Sequence, residues 1–317
     1  LKNLRSVRTF LAFACLSLPQ FSSAYSESWT ESAPLKYTVS SPGILDINGI
    51  VFANGQFVAV GSNGTILAAN DTMTVAGPVL GNFTQIHVSK PITQSGDYKA
   101  DLIAIAANND GVLVAVGKAG AVAFSPMKRN GPTVASIMRS DITASDDWEA
   151  PVAFTPADLL GIASDGTQFV AVGTNNTIVS SLTGANWTPQ SSGFNPAAGK
   201  DSFVFRTISW TRDDFVLVGT YTGPLNPITG QKLPPGSPRS MTVTATSTDG
   251  KTWTPQLTGF VSTVYCTAGT GIVTNDAGAN LFVVVGSNGT AGFAATSTDI
   301  KTWIPFASVT SVERGGV

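Results

Sequence analysis

An all-β fold, a β-propeller of four-stranded antiparallel blades, is what this sequence predicts, and three observations predict it. One apolar segment recurs five times, turn-forming residues separate the recurrences, and no apolar run beyond the first residues has helical periodicity. The segment reads Phe57-Val58-Ala59-Val60-Gly61, Leu113-Val114-Ala115-Val116-Gly117, Phe169-Val170-Ala171-Val172-Gly173, Phe215-Val216-Leu217-Val218-Gly219 and Phe282-Val283-Val284-Val285-Gly286. Successive side chains of a strand point to opposite faces, so a run apolar at every position needs cover on both faces. Neighbouring blades supply that cover. The closing glycine is read as the way into a turn that requires φ > 0.

Each blade element follows in order. Ile50, Ile162 and Ile208 precede the segment by seven residues and Ile105 by eight, marking a first strand. The recurring segment is the second strand. Asn63-Gly64, Asn175-Asn176 and Asn288-Gly289 follow it as type I′ hairpin signals. Third strands are Thr65-Ile66-Leu67-Ala68 and Thr177-Ile178-Val179-Ser180. Fourth strands are Asn186-Trp187-Thr188-Pro189, Thr252-Trp253-Thr254-Pro255 and Thr302-Trp303-Ile304-Pro305, with Trp148 opening that of the interrupted second repeat. A unit of roughly 45–65 residues suits one propeller blade, and its connections are too short for the crossovers that parallel strands need. The repeats run over about 45–80, 101–155, 158–192, 204–256 and 262–306, inside a single domain of residues 25–317.

Composition narrows the function classes. Of 317 residues, 43% are apolar and 12% charged, against about 25% charged in an average domain. A net charge of −2 with scattered basic residues excludes a nucleic-acid groove. Lys2, Arg5 and Arg8 precede an apolar run at 10–18 and the small residues of Phe21-Ser22-Ser23-Ala24, which reads as a signal peptide over 1–24, cleaved after Ala24. A secreted or periplasmic protein is expected. The apolar run is shorter than the ~20 residues that span a bilayer, and no later run reaches that length, so no transmembrane segment is expected. Lipoprotein processing at Cys15 is a rival, but Ala12-Phe13-Ala14 makes a poor lipobox. Cleavage leaves Cys266 alone, without an internal disulfide, as a small buried apolar residue. The initial Leu1 points to an alternative start codon or a fragment.

Ser247-Thr248-Asp249-Gly250-Lys251-Thr252-Trp253 resembles the Asp-box, the S-x-D-G-x-T-W hairpin of sialidase-type (BNR-repeat) β-propellers. Ser297-Thr298-Asp299-Ile300-Lys301-Thr302-Trp303 matches with Ile in place of Gly. The stretch from Ser181 to Trp187 lacks the Asp, and the stretch from Ala69 to Val75 keeps Asp71 but loses the Trp. The resemblance covers about residues 27–306. It implies that Asp249 and Asp299 hold loop amides, and that Trp187, Trp253 and Trp303 pack at equivalent buried positions. One strand is in excess: Ser28-Trp29-Thr30 reads as a sixth fourth strand against five sets of the other three. Five to six blades are expected, in a ring that is closed or left incomplete by truncation.

Four stretches exceed the repeat, at 82–100, 128–146, 220–240 and 258–280. Loops joining strands two and three share a propeller face with the connections between blades, so most of these decorate one rim. Tyr221, Asn226, Gln231 and Tyr265 there offer stacking and amide groups for a sugar or peptide. Asp46, Asp101 and Asp158 each lie four residues before the matched isoleucine (Ile50, Ile105, Ile162) and would recur around the channel mouth. They read either as turn-forming residues or as a site for a cation or amine. His87 is the only histidine, which excludes His-rich zinc sites, and no cofactor or metal is expected. The resemblance also raises a sialidase-like glycoside hydrolase. Its arginine triad has one faint echo in Phe205-Arg206-Thr207-Ile208, and the chain's four glutamates avoid the blade mouths. The favoured reading is a non-enzymatic binding or scaffolding module for a glycan, a cell-surface polymer or a protein, with the carbohydrate-active enzyme as the alternative.

Overall fold

The computed structural model describes residues 46–53, 56–74, 77–80, 84–86, 88–89, 99–125, 148–151, 153–195, 201–211, 213–237, 240–258, 270–274, 280–287 and 292–305. The segment 1–24 expected to be a signal peptide, Trp29, His87, Tyr265 and Cys266 lie outside them, as does the 128–146 insertion.

Five sheets follow one another along the chain. The first holds β1 (Ile47–Ala53), β2 (Gln56–Gly61), β3 (Ile66–Thr74), β4 (Gly77–Leu80) and β5 (Thr84–Ile86). The second holds β6 (Val88–Ser89), β7 (Leu102–Ala107), β8 (Leu113–Gly117), β9 (Val122–Ser125) and β10 (Trp148–Glu149). The third is β11 (Leu159–Ser164), β12 (Phe169–Gly173), β13 (Ile178–Ser181) and β14 (Thr188–Pro189). The fourth is β15 (Ser202–Trp210), β16 (Phe215–Thr222), β17 (Ser240–Ser247) and β18 (Thr254–Leu257), and the fifth is β19 (Thr270–Thr274), β20 (Asn280–Ser287), β21 (Gly292–Ser297) and β22 (Ile304–Pro305). The recurring apolar segments are β2, β8, β12, β16 and β20, one per sheet, each the second strand. First strands adjoin in sequence: β1 packs on β7, β7 on β11, β11 on β15 and β15 on β19. This is the blade arrangement of a β-propeller.

The apolar alternation builds one dry contact between each pair of sheets. Val58 and Val60 meet Leu113 and Ala115; Val114 and Val116 meet Phe169 and Ala171. Val170 and Val172 meet Phe215 and Leu217, and Val216 and Val218 meet Phe282 and Val284. Thus the Val-x-Val face of each second strand packs on the Phe/Leu face of the next, and each buried side chain contributes about 1.5–3 kcal/mol.

Three expectations change. The closing glycines are extended, with φ −165° at Gly61 and −167° at Gly117. A Cβ at Gly61, Gly117 or Gly173 would run into the carbonyl oxygen of Asp46, Asp101 or Asp158, so close backbone approach selects glycine. Positive φ comes two residues later, at Asn63 (54°), Ala119 (51°), and Asn175 and Asn176 (57° and 60°). Second, Asp71 closes no loop: it lies inside β3 and pairs with Leu80 of β4. Third, the 82–100 insertion is partly strand. β5 pairs with the near half of β3, and β6 crosses to the second sheet to lie parallel outside β10. Trp148 opens β10 as expected and is fully buried.

Candidate functional site

The hairpins between second and third strands share one face with the connections between sheets. On it, the three predicted aspartates start successive first strands. Asp101 Oδ1 accepts the Asn63 N–H of the preceding hairpin at 3.0 Å, and Asp158 Oδ1 accepts the Ala119 N–H at 2.8 Å. In the next sheet the link is main chain alone, from the Asn176 N–H to the Phe203 oxygen at 3.4 Å. Asp46 has no preceding described hairpin, and its N–H donates to Ser62 Oγ at 3.0 Å. Lys118 Nζ reaches Asp101 Oδ2 at 2.6 Å. That bond, with the Asn63 amide behind it, holds the Asp101 carboxyl below its ordinary value, while Asp101 raises Lys118. Asp101 and Asp158 therefore act as fasteners between neighbouring sheets, while the Asp46 bonds stay within the first sheet. Among the described residues no three His, Cys, Asp or Glu side chains group as a metal site.

A first-strand bulge sits beside each fastener, where the pairing register shifts at Asn48, Ile103, Leu160 and Arg206. Bulges re-aim side chains, and Asn48 Nδ2 uses its position to donate to the Leu102 oxygen at 2.8 Å, across to the second sheet. Arg206 is half-buried on β15, and the chain's other arginines lie outside the described residues.

The same face carries the largest described loop, which joins β16 to β17. Tyr221 ends β16 fully buried, its ring 4.9 Å from that of Phe203. Its ring is thus withdrawn from ligands, contrary to expectation, because it completes the core between the third and fourth sheets. Its hydroxyl accepts the Leu225 N–H at 3.1 Å. Burial, opposed by that amide and reinforced by the Asp201 carboxylate, pushes its pKa up to about 12. A side chain at Gly223 would strike both the Tyr221 hydroxyl and Asp201.

Beyond this pin the loop is an ordered excursion. Asn226 is half-buried, and its Oδ1 accepts the N–H groups of Ile228 and Thr229 at 2.9 and 3.0 Å. Its own N–H donates to the Gln231 oxygen at 2.7 Å, and the Leu233 N–H to the Pro224 oxygen at 3.1 Å. Asn226 is therefore a turn former, as short amide side chains often are. Ile228 and Leu233 pack back on the core, and the Asn195 N–H ties Pro227 to the third sheet at 2.8 Å. Gly236, at φ 85°, closes a turn in which the Ser237 N–H donates to Pro234 at 3.1 Å. The exposed crest is Thr229, Gln231, Lys232, Pro234 and Pro235.

The opposite face carries the acidic hairpins between third and fourth strands. Asp249 Oδ1 accepts the Thr252 and Lys251 N–H groups at 2.7 and 2.8 Å, and Ser247 Oγ donates at 3.0 Å. Asp299 repeats this with Thr302, Lys301 and Ser297 at 2.6, 2.8 and 3.0 Å. The amide of Thr252 or Thr302 foremost, then that of the lysine, lowers each carboxyl to about 2. Trp253 and Trp303 are buried, whereas Trp187 is half-buried and stacks on Phe154 at 5.8 Å. Sequence reasoning missed Asp165, which caps the turn before β12 by accepting the Thr167 and Gln168 amides at 2.7 and 2.8 Å. Its signal was present in Ser164-Asp165-Gly166-Thr167, a turn sequence of the same chemistry as Ser247 to Gly250.

No protein-family profile matches the sequence, and no curated protein sequence matches it either. Solved structures do resemble it. One described as YCF48 bound to D1 peptide aligns over 82% of this chain and 66% of its own, at 15% identity and a TM-score of 0.45. A protein from Lactobacillus plantarum aligns over 80% and 68%, at 12% identity and 0.46. The computationally designed Ika8 protein aligns over 83% and 61%, at 10% identity and 0.42. The chain thus spans 66% of the first of these structures and 61–68% of the three, and at such identities the similarity is one of fold alone.

Proposed function

We propose that this chain is an Asp-box propeller that works as a non-enzymatic binding or scaffolding module, with a protein as its partner. The ordered β16–β17 loop carries the reading. Its base is locked by Tyr221, Asn226 and Pro227, so its crest is presented with little ordering entropy left to lose on binding. That crest offers amide, lysine and proline groups, while the ring a sugar would stack on is buried. The glycan reading keeps only Tyr265, which lies outside the described residues. Export by the segment at 1–24 belongs to the same proposal.

A variant in which Asn-Gly replaces residues 224–238 tests it. The first hairpin closes with Asn63-Gly64, so the shortened sheet has a turn of known geometry to adopt. The full chain should cross-link to a secreted protein through Lys232, and the shortened chain should lose that capture while keeping its thermal transition. Low charge predicts little change with salt. Capture that survives the replacement, or equal binding of both chains to arrayed glycans, would refute the proposal.

A further inference from the structure

The crest of the β16–β17 loop has a backbone that its own prolines dictate. Leu233 and Pro234 each precede a proline, which steers both to extended or polyproline II backbone, and the two rings fix φ at about −65° in Pro234 and Pro235. Gly236, at φ 85°, ends the run in a type II turn, closed by the Ser237 N–H on the Pro234 oxygen at 3.1 Å. Leu233 to Pro235 therefore run as polyproline II, a left-handed helix of about 3 residues per turn on which side chains three apart share a ridge. The Leu233 ridge turns inward. Its side chain packs on the core that holds Phe203 and Tyr221, and its N–H donates to the Pro224 oxygen at 3.1 Å. Lys232 and Pro235 share the second ridge, Pro234 forms the third, and all three are exposed. A Cβ added at Gly236 would meet nothing within 4 Å, so the turn stands clear of the sheets.

Resting on the reading of this loop as a protein-binding site, we propose that the partner takes the crest into an aromatic-lined groove, with the Pro234 and Pro235 rings against aromatic faces and Lys232 at the rim. A proline segment in this conformation has its backbone already set, so it docks at low entropic cost, and aromatic-lined grooves are the surfaces that take such segments. The exposed crest carries no carboxylate and no aromatic ring of its own. Its means of recognition are two proline rings, one cation and the amide and hydroxyl groups around them.

Decaproline, a free polyproline II helix, is the probe. Secreted protein held on the immobilised full chain should be displaced by decaproline and not by decaglycine. The Pro234→Ala, Pro235→Ala double variant should capture roughly tenfold or more weakly, as loss of central anchors does. Both positions are exposed, so the variant should keep the hydrogen-exchange protection of the Leu225 and Leu233 amides. If the variant loosens the loop and loses that protection, displacement by decaproline decides alone. Decaproline without effect at millimolar concentration overturns the proposal. So does unchanged capture by a double variant that keeps its protection. In either case the loop remains the site as long as the chain shortened at 224–238 fails to capture. Capture that the shortened chain retains, or a full chain that captures nothing, overturns the reading of the loop itself.

Discussion

Ile300 occupies the left-handed region at φ 64°, where its counterparts are Gly250 at 67° and Gly184 at 83°. A β-branched residue there costs about 1–2 kcal/mol. The side chain offsets this by packing at 7% exposure among Val216, Val218 and Trp303, worth about 1.5–3 kcal/mol. Ile300→Gly should therefore destabilise by only about 1 kcal/mol in urea denaturation. Gly250→Ala should cost at least about 2 kcal/mol, since it adds the same strain and forces a Cβ to within 2.7 Å of Val170 Cγ2. A gain of stability in Ile300→Gly would mean that Ile300 packs no better than a glycine. Asp249 and Asp299 make a second residue-scale prediction. Their carboxyls fall from the ordinary 3.8 to about 2 on folding. A folded value below the unfolded one stabilises above pH 3.8, and that contribution disappears as pH falls through 2. The Asp249→Asn, Asp299→Asn double variant should melt below the parent at neutral pH, and the two should converge near pH 2.

The third-to-fourth-strand hairpins show how an element depends on its neighbour. Trp303 Nε1 donates to the Ile300 oxygen at 2.9 Å and Trp187 Nε1 to the Gly184 oxygen at 2.8 Å, while Trp253 Nε1 has no such partner. Burial, more than that bond, sets their worth. Trp253→Ala should cost about 3–5 kcal/mol. Trp187→Ala should cost well under half of that, because Phe154 covers only part of its ring. A chemical-denaturation series that ranks Trp187 first would contradict this order. In the β16–β17 loop, Tyr221→Phe removes the acceptor of the Leu225 N–H. A stranded amide costs about 1–3 kcal/mol, so Leu225 should lose hydrogen-exchange protection while Val216 to Val218 keep theirs.

Across the described residues, the sheets pack in sequence order, each on the ones before and after it. Stability then approximates a sum of sheet terms and nearest-neighbour contacts. β8 and β12 are buried along their length and β16 up to Tyr221, whereas Phe57 of β2 and Val283 of β20 are half-buried. In dilute solution, exchange protection should be highest in β12 and fall toward β2 and β20. Uniform protection from β2 to β20 would require a closed ring.

The order of elements was legible in the residues. Alternation, Asn-rich turns and the five Phe/Leu-to-Gly segments depend on side chains a few positions apart, and local chemistry dictates them. The acidic hairpins at Asp249 and Asp299 were legible for the same reason, because donor and acceptor lie within the loop. Other features needed partners distant in the chain. Gly61 is glycine because the Asp46 carbonyl presses on it, and Asp101 and Asp158 are fasteners because the hairpin of the preceding sheet arrives beside them. Tyr221 looked like an exposed aromatic on a long loop until Phe203 and Asp201 closed over it. Asp71 carried a loop signature that β4 pairing overrode. Sequence by itself determined which strands exist and in what order. Tertiary structure decided which polar groups hold sheets together and which side chains are covered, since burial and backbone approach arise only where remote segments meet.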